Sequence, residues 1–181
     1  MSEPIFIHRL ASPVGALLLV SDGTALTGLY TAGHEMVAPA GAIEDSSRFR
    51  RVSAQLERYF AGKLEVFEVP LDLRGTPFQQ SVWKELTTIP YGTTISYREL
   101  AERVGNPRAV RAVGGANGRN PVSIIVPCHR VVGADGDLVG YGGGIDRKRW
   151  LLGHERALAP KGARRTKDYG SSLARAPAMA R

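Results

Sequence analysis

The chain contains a single cysteine, Cys128, among its 181 residues. One thiol cannot form a disulfide within the chain or a site with several thiolate ligands. With 43% hydrophobic and 23% charged residues, a chain of this length can build one hydrophobic core or two small ones. Cys128 itself is then either a small packed hydrophobe or a nucleophile.

The residues next to Cys128 favour the nucleophile. They form the tetrad Pro127-Cys128-His129-Arg130, directly after the apolar run 124–126. The thiolate is the reactive form of cysteine, and His129 and Arg130 are expected to stabilise it with positive charge. Consecutive side chains of a strand point to opposite faces, so Cys128 and His129 can cooperate only if the chain turns or a water bridges them. Pro127 favours such a turn.

A catalytic histidine also needs a third group that orients the imidazole, and Glu155 is the candidate. In the last predicted helix, Glu155 follows Leu151 by four residues and Leu152 by three, so the three side chains share a face. A carboxylate on a buried face requires a partner such as His129. The spacing alone leaves open that Glu155 lies in solvent at a frayed helix end, and it predicts an exposed His154.

Positive charge is concentrated in the part of the chain that carries Cys128. Residues 1–74 have 7 basic and 9 acidic side chains, residues 75–157 have 11 and 7, and residues 158–181 have 6 and 1. Clustered positive charge is typical of proteins that bind a polyanion, although an ordinary solvated surface can have the same composition. Both interpretations stay open at this point.

The sequence also indicates where the protein works. It has no run of about 18 apolar residues for a membrane span, and no basic N-terminal segment that leads into an apolar stretch. Secretion and a membrane partner are therefore not expected, and a lone thiol fits a reducing compartment. We expect a cytoplasmic protein.

Residues 1–74 predict a small N-terminal α/β unit. Asp22-Gly23 between two apolar runs is a hairpin signal, and helical spacing from Phe49 to Phe60 predicts a helix capped by Ser46 or Ser47. Residues 31–45 are expected to form a loop. The predicted strands are Pro4–Leu10, Gly15–Ser21, Ala25–Tyr30 and Leu64–Val69.

Residues 75–157 predict a helical unit with a helix-turn-helix. Thr76-Pro77 can start one helix, Ser96 and Glu99 form a capping-box pattern before a second, and Gly105-Asn106-Pro107 turns into a third. On this third helix, small and basic residues give a flat surface that a phosphate backbone could approach. The spacing directs Ala109, Ala112, Val113 and Ala116 inward and Arg108, Arg111, Gly114, Gly115 and Gly118 outward.

Two further segments are irregular. Six glycines between residues 133 and 144 predict either a loop that approaches a ligand or a plain connector. This loop lacks the Lys-Ser/Thr signature of a phosphate-binding loop, so we expect no nucleotide cofactor. Residues 158–181 have no periodicity and predict a disordered basic tail.

Several motifs taken together resemble the O6-methylguanine-DNA methyltransferases, also called methylated-DNA-protein-cysteine methyltransferases. The resemblance is strong over residues 75–156 and loose over residues 1–74. It rests on Phe78-Gln79, Val82-Trp83, Ile89-Pro90-Tyr91-Gly92, Ser96-Tyr97, Arg111-Ala112-Val113-Gly114, Asn120-Pro121, Ile125-Val126-Pro127-Cys128-His129-Arg130-Val131 and Tyr141-Gly142-Gly143-Gly144.

The resemblance implies a mixed α/β, ribonuclease H-like domain over residues 1–74 and a winged-helix-like domain with the helix-turn-helix over residues 75–157. It implies a monomer that binds duplex DNA, flips an O6-alkylguanine out of the stack and moves the alkyl group irreversibly onto Cys128, once per molecule. It implies no cofactor. Some members bind zinc through N-terminal cysteines and histidines, but with Cys128 alone we expect no metal. Activity on O4-alkylthymine, the range of alkyl groups, cooperativity on DNA and the role of the tail stay open.

Residue roles follow from the same resemblance. Cys128 is the alkyl acceptor, His129 the base that acts through a water, and Glu155 the residue that orients His129. Asn120 shapes the active-site turn, and Tyr97 donates toward the departing guanine. Arg111 fills the gap in the duplex, Arg108, Ala112, Gly114, Gly115 and Arg119 contact DNA, and Val131, Tyr141 and Gly142 line the substrate pocket.

Two alternatives remain beside this interpretation. One is a DNA-binding protein of the same fold that senses lesions without catalysis, and the other is a cysteine-histidine hydrolase unrelated to DNA. The thiol of Cys128 argues against the first, since relatives that only bind the lesion lack it. The basic helix argues against the second.

Overall fold

The computed structural model describes residues 4–32 and 36–158. Its N-terminal unit is built on a four-stranded sheet. The strands are β1 (Phe6–Leu10), β2 (Leu17–Ser21), β3 (Leu26–Thr31) and β4 (Ile43–Glu44), in the order β3-β2-β1-β4. Strands β1 and β2 and strands β2 and β3 are antiparallel, as the hairpin signal predicts, whereas β4 runs parallel to β1. The prediction that residues 31–45 form only a loop is therefore wrong at β4, which is too short to give an alternating pattern.

One helix of this unit packs on the sheet. A 3₁₀ turn, Ser46–Phe49, leads into α1 (Arg50–Phe60), and α1 buries Val52, Leu56 and Tyr59. The predicted cap is wrong, because Asp45 rather than a serine accepts the hydrogen bond of a backbone N–H, that of Ser47, at 3.0 Å. Aspartate caps a helix end as well as serine does, and it lies one residue earlier.

The predicted strand Leu64–Val69 is not formed. Its alternating pattern suggests a strand, but Val66 is 72% exposed, and Gln55 holds the segment instead. The Gln55 amide accepts from the backbone N–H of Glu68 at 2.7 Å and donates to its carbonyl at 3.0 Å. These side-chain hydrogen bonds take the place of the backbone pairing that a strand would make. After the end of the segment, Leu71 forms an isolated β-bridge with β3.

Over the described residues, the C-terminal unit consists of four helices and a small parallel sheet, in agreement with the predicted helix-turn-helix. The elements are α2 (Pro77–Leu86), β5 (Ile95–Ser96), α3 (Tyr97–Arg103), α4 (Val110–Gly118), β6 (Val131–Val132) and α5 (Ile145–Leu158). Thr76 caps α2 with a complete capping box, Pro77 is its first residue, and Ser96 caps α3 through the N–H of Glu99. Trp83 of α2 is buried.

The two units share one hydrophobic core, which contains Leu29, Leu56, Leu100, Val122 and Leu151. They are also joined through the backbone: the N–H of Leu29 donates to the carbonyl of Pro121 at 2.8 Å, and the N–H of Ser123 donates to the carbonyl of Leu29 at 3.0 Å. The edge of the N-terminal sheet thus fixes the segment that leads to Cys128. No helix within residues 4–32 and 36–158 is long and apolar enough to cross a membrane.

Candidate active site

A tight turn presents Cys128. The chain passes through Ile124, whose φ of 72° is a strained conformation for a β-branched residue, and then into a 3₁₀ turn, Cys128–Arg130. Asn120 holds this path: its Nδ2 donates to the carbonyl of Val126 at 2.7 Å, and its Oδ1 accepts from the N–H of Val122 at 3.1 Å. Because Cys128 and His129 lie on a turn rather than a strand, their side chains need not point to opposite faces.

Glu155 lies at the centre of a buried network, so the prediction that it is buried is confirmed. Its Oε1 is 2.8 Å from Nε2 of His129 and accepts from the Tyr59 hydroxyl at 2.8 Å. Arg130 donates to both carboxylate oxygens, and the N–H of Gly92 donates to Oε2 at 3.3 Å. Burial alone would raise the pKa of Glu155, but its interactions with His129 and Arg130 hold it well below its usual value. The carboxyl group is therefore ionised at neutral pH.

His129 is completely buried and held as a neutral base. Burial lowers its pKa, and the charges of Arg130 and Lys148 add to this, although Glu155 opposes it. Since Nε2 faces a carboxylate, the ring proton belongs on Nε2, which leaves the lone pair on Nδ1. Nδ1 is buried, and it has no hydrogen-bond partner within the part of the chain that the structure describes. It is thus available to accept a proton, directly or through a water.

Cys128 is 4% exposed. Burial raises the pKa of its thiol, and the Asn120 side chain and the charge of Lys148 oppose this rise. Lys148 is completely buried and donates from Nζ to the carbonyl of Val139 at 2.7 Å. Burial lowers the pKa of Lys148 to about 8, while the thiolate of Cys128 acts to raise it. The amine is the nearby cation that favours the thiolate.

The sequence did not single out Lys148, although it carries a signal. Lys148 lies three residues before Leu151, four before Leu152 and seven before Glu155, which places it on the same buried face. The expectation that Arg130 stabilises the thiolate directly needs correction. Its guanidinium points to Glu155 and to the carbonyl of Ile89, at 2.6 Å from Nη1.

The prediction that His154 is exposed is wrong. His154 is 5% exposed, its Nε2 donates to the carbonyl of Tyr59 at 2.8 Å, and its ring stacks on Trp150 with 4.9 Å between the centroids. The predicted buried face of α5 is narrower than the observed one. Helix α1 packs beside that face and also covers the neighbouring positions of α5. Tyr59 of α1 therefore contacts both His154 and Glu155.

Tyr97 stands between α4 and the glycine-rich segment. Its hydroxyl lies 3.1 Å from the carbonyl of Val139 and 3.3 Å from that of Gly140. A β-carbon at Gly114 would be 3.8 Å from the Tyr97 ring, an ordinary van der Waals distance, so the ring packs directly beside α4. Burial raises the pKa of Tyr97 to about 12, and a Cys128 thiolate adds to the rise. The hydroxyl thus stays protonated and able to donate.

The three residues assigned to the substrate pocket differ in exposure. Val131 is completely buried in β6, Tyr141 is half-buried and Gly142 is exposed. The Tyr141 hydroxyl is buried and has no hydrogen-bond partner in the described ranges. At neighbouring Gly143 a β-carbon would lie 2.5 Å from Oγ1 of Thr31, so the N-terminal sheet closes directly on this segment.

The outer face of α4 is basic and largely free of bulk. Arg108, Arg111 and Arg119 are exposed, and Gly114 and Gly115 are half-buried. The expectation that Ala112 points inward is wrong: Ala112 is exposed, because the inward positions are Val113, Ala116 and Asn117. Asn117 connects this helix to the backbone of the turn that carries the thiol, since its Nδ2 donates to the carbonyl of Cys128 at 3.4 Å. Within the described residues, no group of His, Cys, Asp and Glu side chains could hold a metal ion.

Comparisons with known proteins agree with this arrangement. Residues 77–157 match a family model described as the 6-O-methylguanine DNA methyltransferase DNA binding domain, and residues 5–73 match the ribonuclease-like domain of the same family. The methylated-DNA–protein-cysteine methyltransferase of Mycobacterium tuberculosis strain H37Rv is 52% identical over 158 residues, which are 86% of this chain and 95% of that protein. The protein of the same name from Methanosarcina barkeri is 50% identical over 150 residues, which are 82% of this chain and 95% of that protein.

A solved structure matches over the same extent. The crystal structure of Mycobacterium tuberculosis OGT in complex with DNA aligns with a TM-score of 0.81 at 52% identity, covering 86% of this chain and 96% of that chain. The match includes the N-terminal sheet as well as the helices, so the similarity extends over both units.

Proposed function

Since the chain belongs to the O6-methylguanine-DNA methyltransferase family, we propose that Cys128 is the residue to which it transfers the alkyl group when it repairs DNA. The buried arrangement of Cys128, His129 and Glu155 supports this assignment most directly. His129 follows Cys128 in the same turn, its Nδ1 has no hydrogen-bond partner among the described residues, and its Nε2 is 2.8 Å from the carboxylate. An uninvolved structural cysteine needs none of these features.

The proposed reaction uses the groups in sequence. The thiol gives its proton, through a water, to Nδ1 of His129, and Glu155 stabilises the imidazolium that results. Sulfur then attacks the alkyl carbon, the S–C bond forms as the C–O bond breaks, and negative charge develops on the guanine. Tyr97 donates a hydrogen bond to the guanine as it leaves, and the guanine anion then takes up one proton, which balances the proton that His129 took from the thiol. The thioether product is stable, so each molecule acts once.

The remaining site residues shape the cavity around this reaction. Asn120 fixes the turn between residues 120 and 126, which directs Cys128 toward the substrate. Val131 supplies an apolar wall, and Tyr141 with Gly142 forms the opposite edge on the glycine-rich segment. Gly142 has no side chain, which leaves room for the alkyl group.

DNA binds on the outer face of α4 in this proposal. The lesion lies within a stacked duplex, so the O6 substituent reaches Cys128 only after the base is flipped out, which costs a few kcal/mol. Arg111 is exposed and long enough to fill the vacated position. Arg108 and Arg119 contact phosphates, while Ala112, Gly114 and Gly115 let the backbone approach the groove.

The proposal includes the organisation of the chain. Residues 1–74 form the N-terminal domain, residues 75–157 the domain that binds DNA and accepts the alkyl group, and residues 158–181 a basic tail. The tail lies outside the described residues, apart from the end of α5. We place the protein in the cytoplasm, because this reducing compartment keeps the thiol available. In this proposal the protein acts as a monomer and needs no cofactor.

Stoichiometric transfer of a labelled methyl group tests the proposal. Duplex DNA with one labelled O6-methylguanine is mixed with excess protein, and the label on protein is counted. Wild type should take up one methyl group per lesion, and Cys128→Ser should take up none while it still binds DNA. Label on Cys128→Ser would overturn the assignment of Cys128, and binding of the lesion by wild type without transfer would favour a non-catalytic lesion sensor.

A further inference from the structure

The N-terminal unit contributes a polar side chain to the active site. Tyr59, near the end of α1, donates its hydroxyl hydrogen to Oε1 of Glu155 at 2.8 Å. The same carboxylate oxygen is 2.8 Å from Nε2 of His129. A residue of the ribonuclease-like domain and the proposed base thus share one acceptor atom.

Tyr59 is held firmly enough to position that atom. Its carbonyl accepts from Nε2 of His154, and its ring makes edge contacts with Phe60 at 5.2 Å and with Tyr91 at 6.1 Å between centroids. Tyr59 is completely buried, so water cannot replace its hydroxyl at the carboxylate. Adjacent residues of α5, His154 and Glu155, are therefore both bound by one residue of α1.

From these contacts we propose that Tyr59 is a positioning residue of the alkyl-transfer site, which fixes Glu155 and moderates its attraction for the imidazolium of His129. The inference rests on the proposed role of His129 as the base. Sharing Oε1 with a hydroxyl donor reduces the negative potential that the carboxylate exerts on the imidazole. The N-terminal domain then influences the chemistry at Cys128, and not only the stability of the fold.

The direction of the effect follows from the charges around His129. The groups that act on it are Glu155 and Lys148 from α5, Arg130 from its own turn, and the neutral hydroxyls of Tyr59 and Tyr91 near Glu155. Removing only the Tyr59 hydroxyl leaves Glu155 more negative, so the pKa of His129 rises. The neutral imidazole that serves as base is then lost at a higher pH.

The test compares wild type with three variants in single-turnover methyl transfer from duplex DNA as a function of pH. Tyr59→Phe should move the acid-side midpoint of the rate upward by about half a unit or more. Site-specific 3-fluorotyrosine at position 59 is a stronger donor, so it should move the midpoint downward with almost no change in size. Tyr30→Phe is the matched control, because Tyr30 packs on the separate cluster of Ile7, Leu18 and Val20, and its midpoint should equal that of wild type.

Histidine NMR of the isotope-labelled proteins follows the protonation of His129 itself, without the reaction. Shifts of opposite sign in the two Tyr59 variants support the proposal, even if Tyr59→Phe also lowers the unfolding temperature. Superimposable profiles in wild type and both variants, with unchanged His129 resonances, would reduce Tyr59 to a structural residue. Absence of transfer in wild type would instead contradict the proposed function, so the two failures are distinguishable.

Discussion

Arg130 donates to Glu155 through two hydrogen bonds, from Nε to Oε2 at 2.9 Å and from Nη2 to Oε1 at 3.0 Å. A bidentate guanidinium balances the buried carboxylate in a way that a neutral imidazole cannot. Glu155 therefore stays ionised while His129 stays neutral. His129, the base, is neutral while Glu155, which orients it, is ionised, because Arg130 supplies the positive charge that compensates the carboxylate.

Replacing Arg130 tests this balance through stability. Arg130→Met leaves the charge of Glu155 buried without its guanidinium, so we expect the free energy of unfolding at pH 7 to fall by about 3–5 kcal/mol. Arg103→Met is the control, since the partly exposed pair of Arg103 with Glu99 contributes about 1 kcal/mol or less. Urea unfolding measures both changes, and equal losses in the two variants would contradict the account.

The loss of the free energy of unfolding in acid gives a second measure of the ionisation of Glu155. The pKa of Glu155 is held below its usual 4.5, so the stabilisation is fully present above that pH and is lost as the pH falls toward the folded-state value. Arg130→Met raises the folded-state pKa, and the variant should lose less of its remaining stability between pH 7 and pH 4 than wild type does. A steeper loss in the variant would show that another group controls the acid limb.

Lys148 is predicted to control the ionisation of Cys128. Lys148→Met removes the cation but keeps the volume, so the pKa of the thiol should rise, and each unit of rise lowers the thiolate fraction about tenfold. The ultraviolet absorbance of the thiolate, measured against pH with Cys128→Ser as the blank, reports this directly. Lys84→Met, at an exposed position of α2, should leave the titration unchanged. An unchanged titration in Lys148→Met would remove Lys148 from the site.

Arg111 is predicted to act on base flipping rather than on chemistry. Arg111→Ala should slow repair of a paired lesion about 10- to 100-fold, because extrusion of the base loses its support. Reaction with free O6-methylguanine base should change little. Arg58→Ala removes the same charge from an exposed site on α1 and serves as the control. Equal losses on duplex and free base would argue against this role of Arg111.

Tyr97 is predicted to act in the transfer step. Tyr97→Phe removes the donor while the ring still packs beside Gly114, so the single-turnover rate should fall about 100-fold at unchanged affinity for DNA. The rate at saturating protein and the dissociation constant, measured separately, distinguish these effects. Weaker DNA binding with an unchanged rate would instead make Tyr97 part of the binding surface.

Local patterns predicted the parts of the fold that depend on a few neighbouring residues. Thr76-Pro77 and Ser96 start helices because their hydroxyls satisfy free backbone N–H groups, and Asp22-Gly23 turns a hairpin wherever apolar runs flank it. The spacing of Glu155 to Leu151 favours a buried position but also allows a solvent-exposed helix end, and the contacts with His129 and Arg130 decide between the two.

Contacts between residues far apart in the sequence determine the features that local patterns did not predict. Lys148 lies on the same helix face as Glu155, but a lysine is usually exposed to solvent. Its burial is explained by the carbonyl of Val139 and the nearby thiol, which the sequence pattern does not reveal. Tyr59 and Glu155 are 96 residues apart, so no local pattern links them. The segment Leu64–Val69 alternates like a strand, but the Gln55 side chain occupies the backbone groups of Glu68.

Peptide mapping by mass spectrometry tests the central claim most directly. After reaction with duplex DNA that contains O6-methylguanine, the protein is digested and each peptide is examined for added methyl groups. The account predicts one methyl group on Cys128, with an unmodified guanine left in the DNA. A methyl group on any other residue, or repaired DNA with an unmodified Cys128, would contradict it.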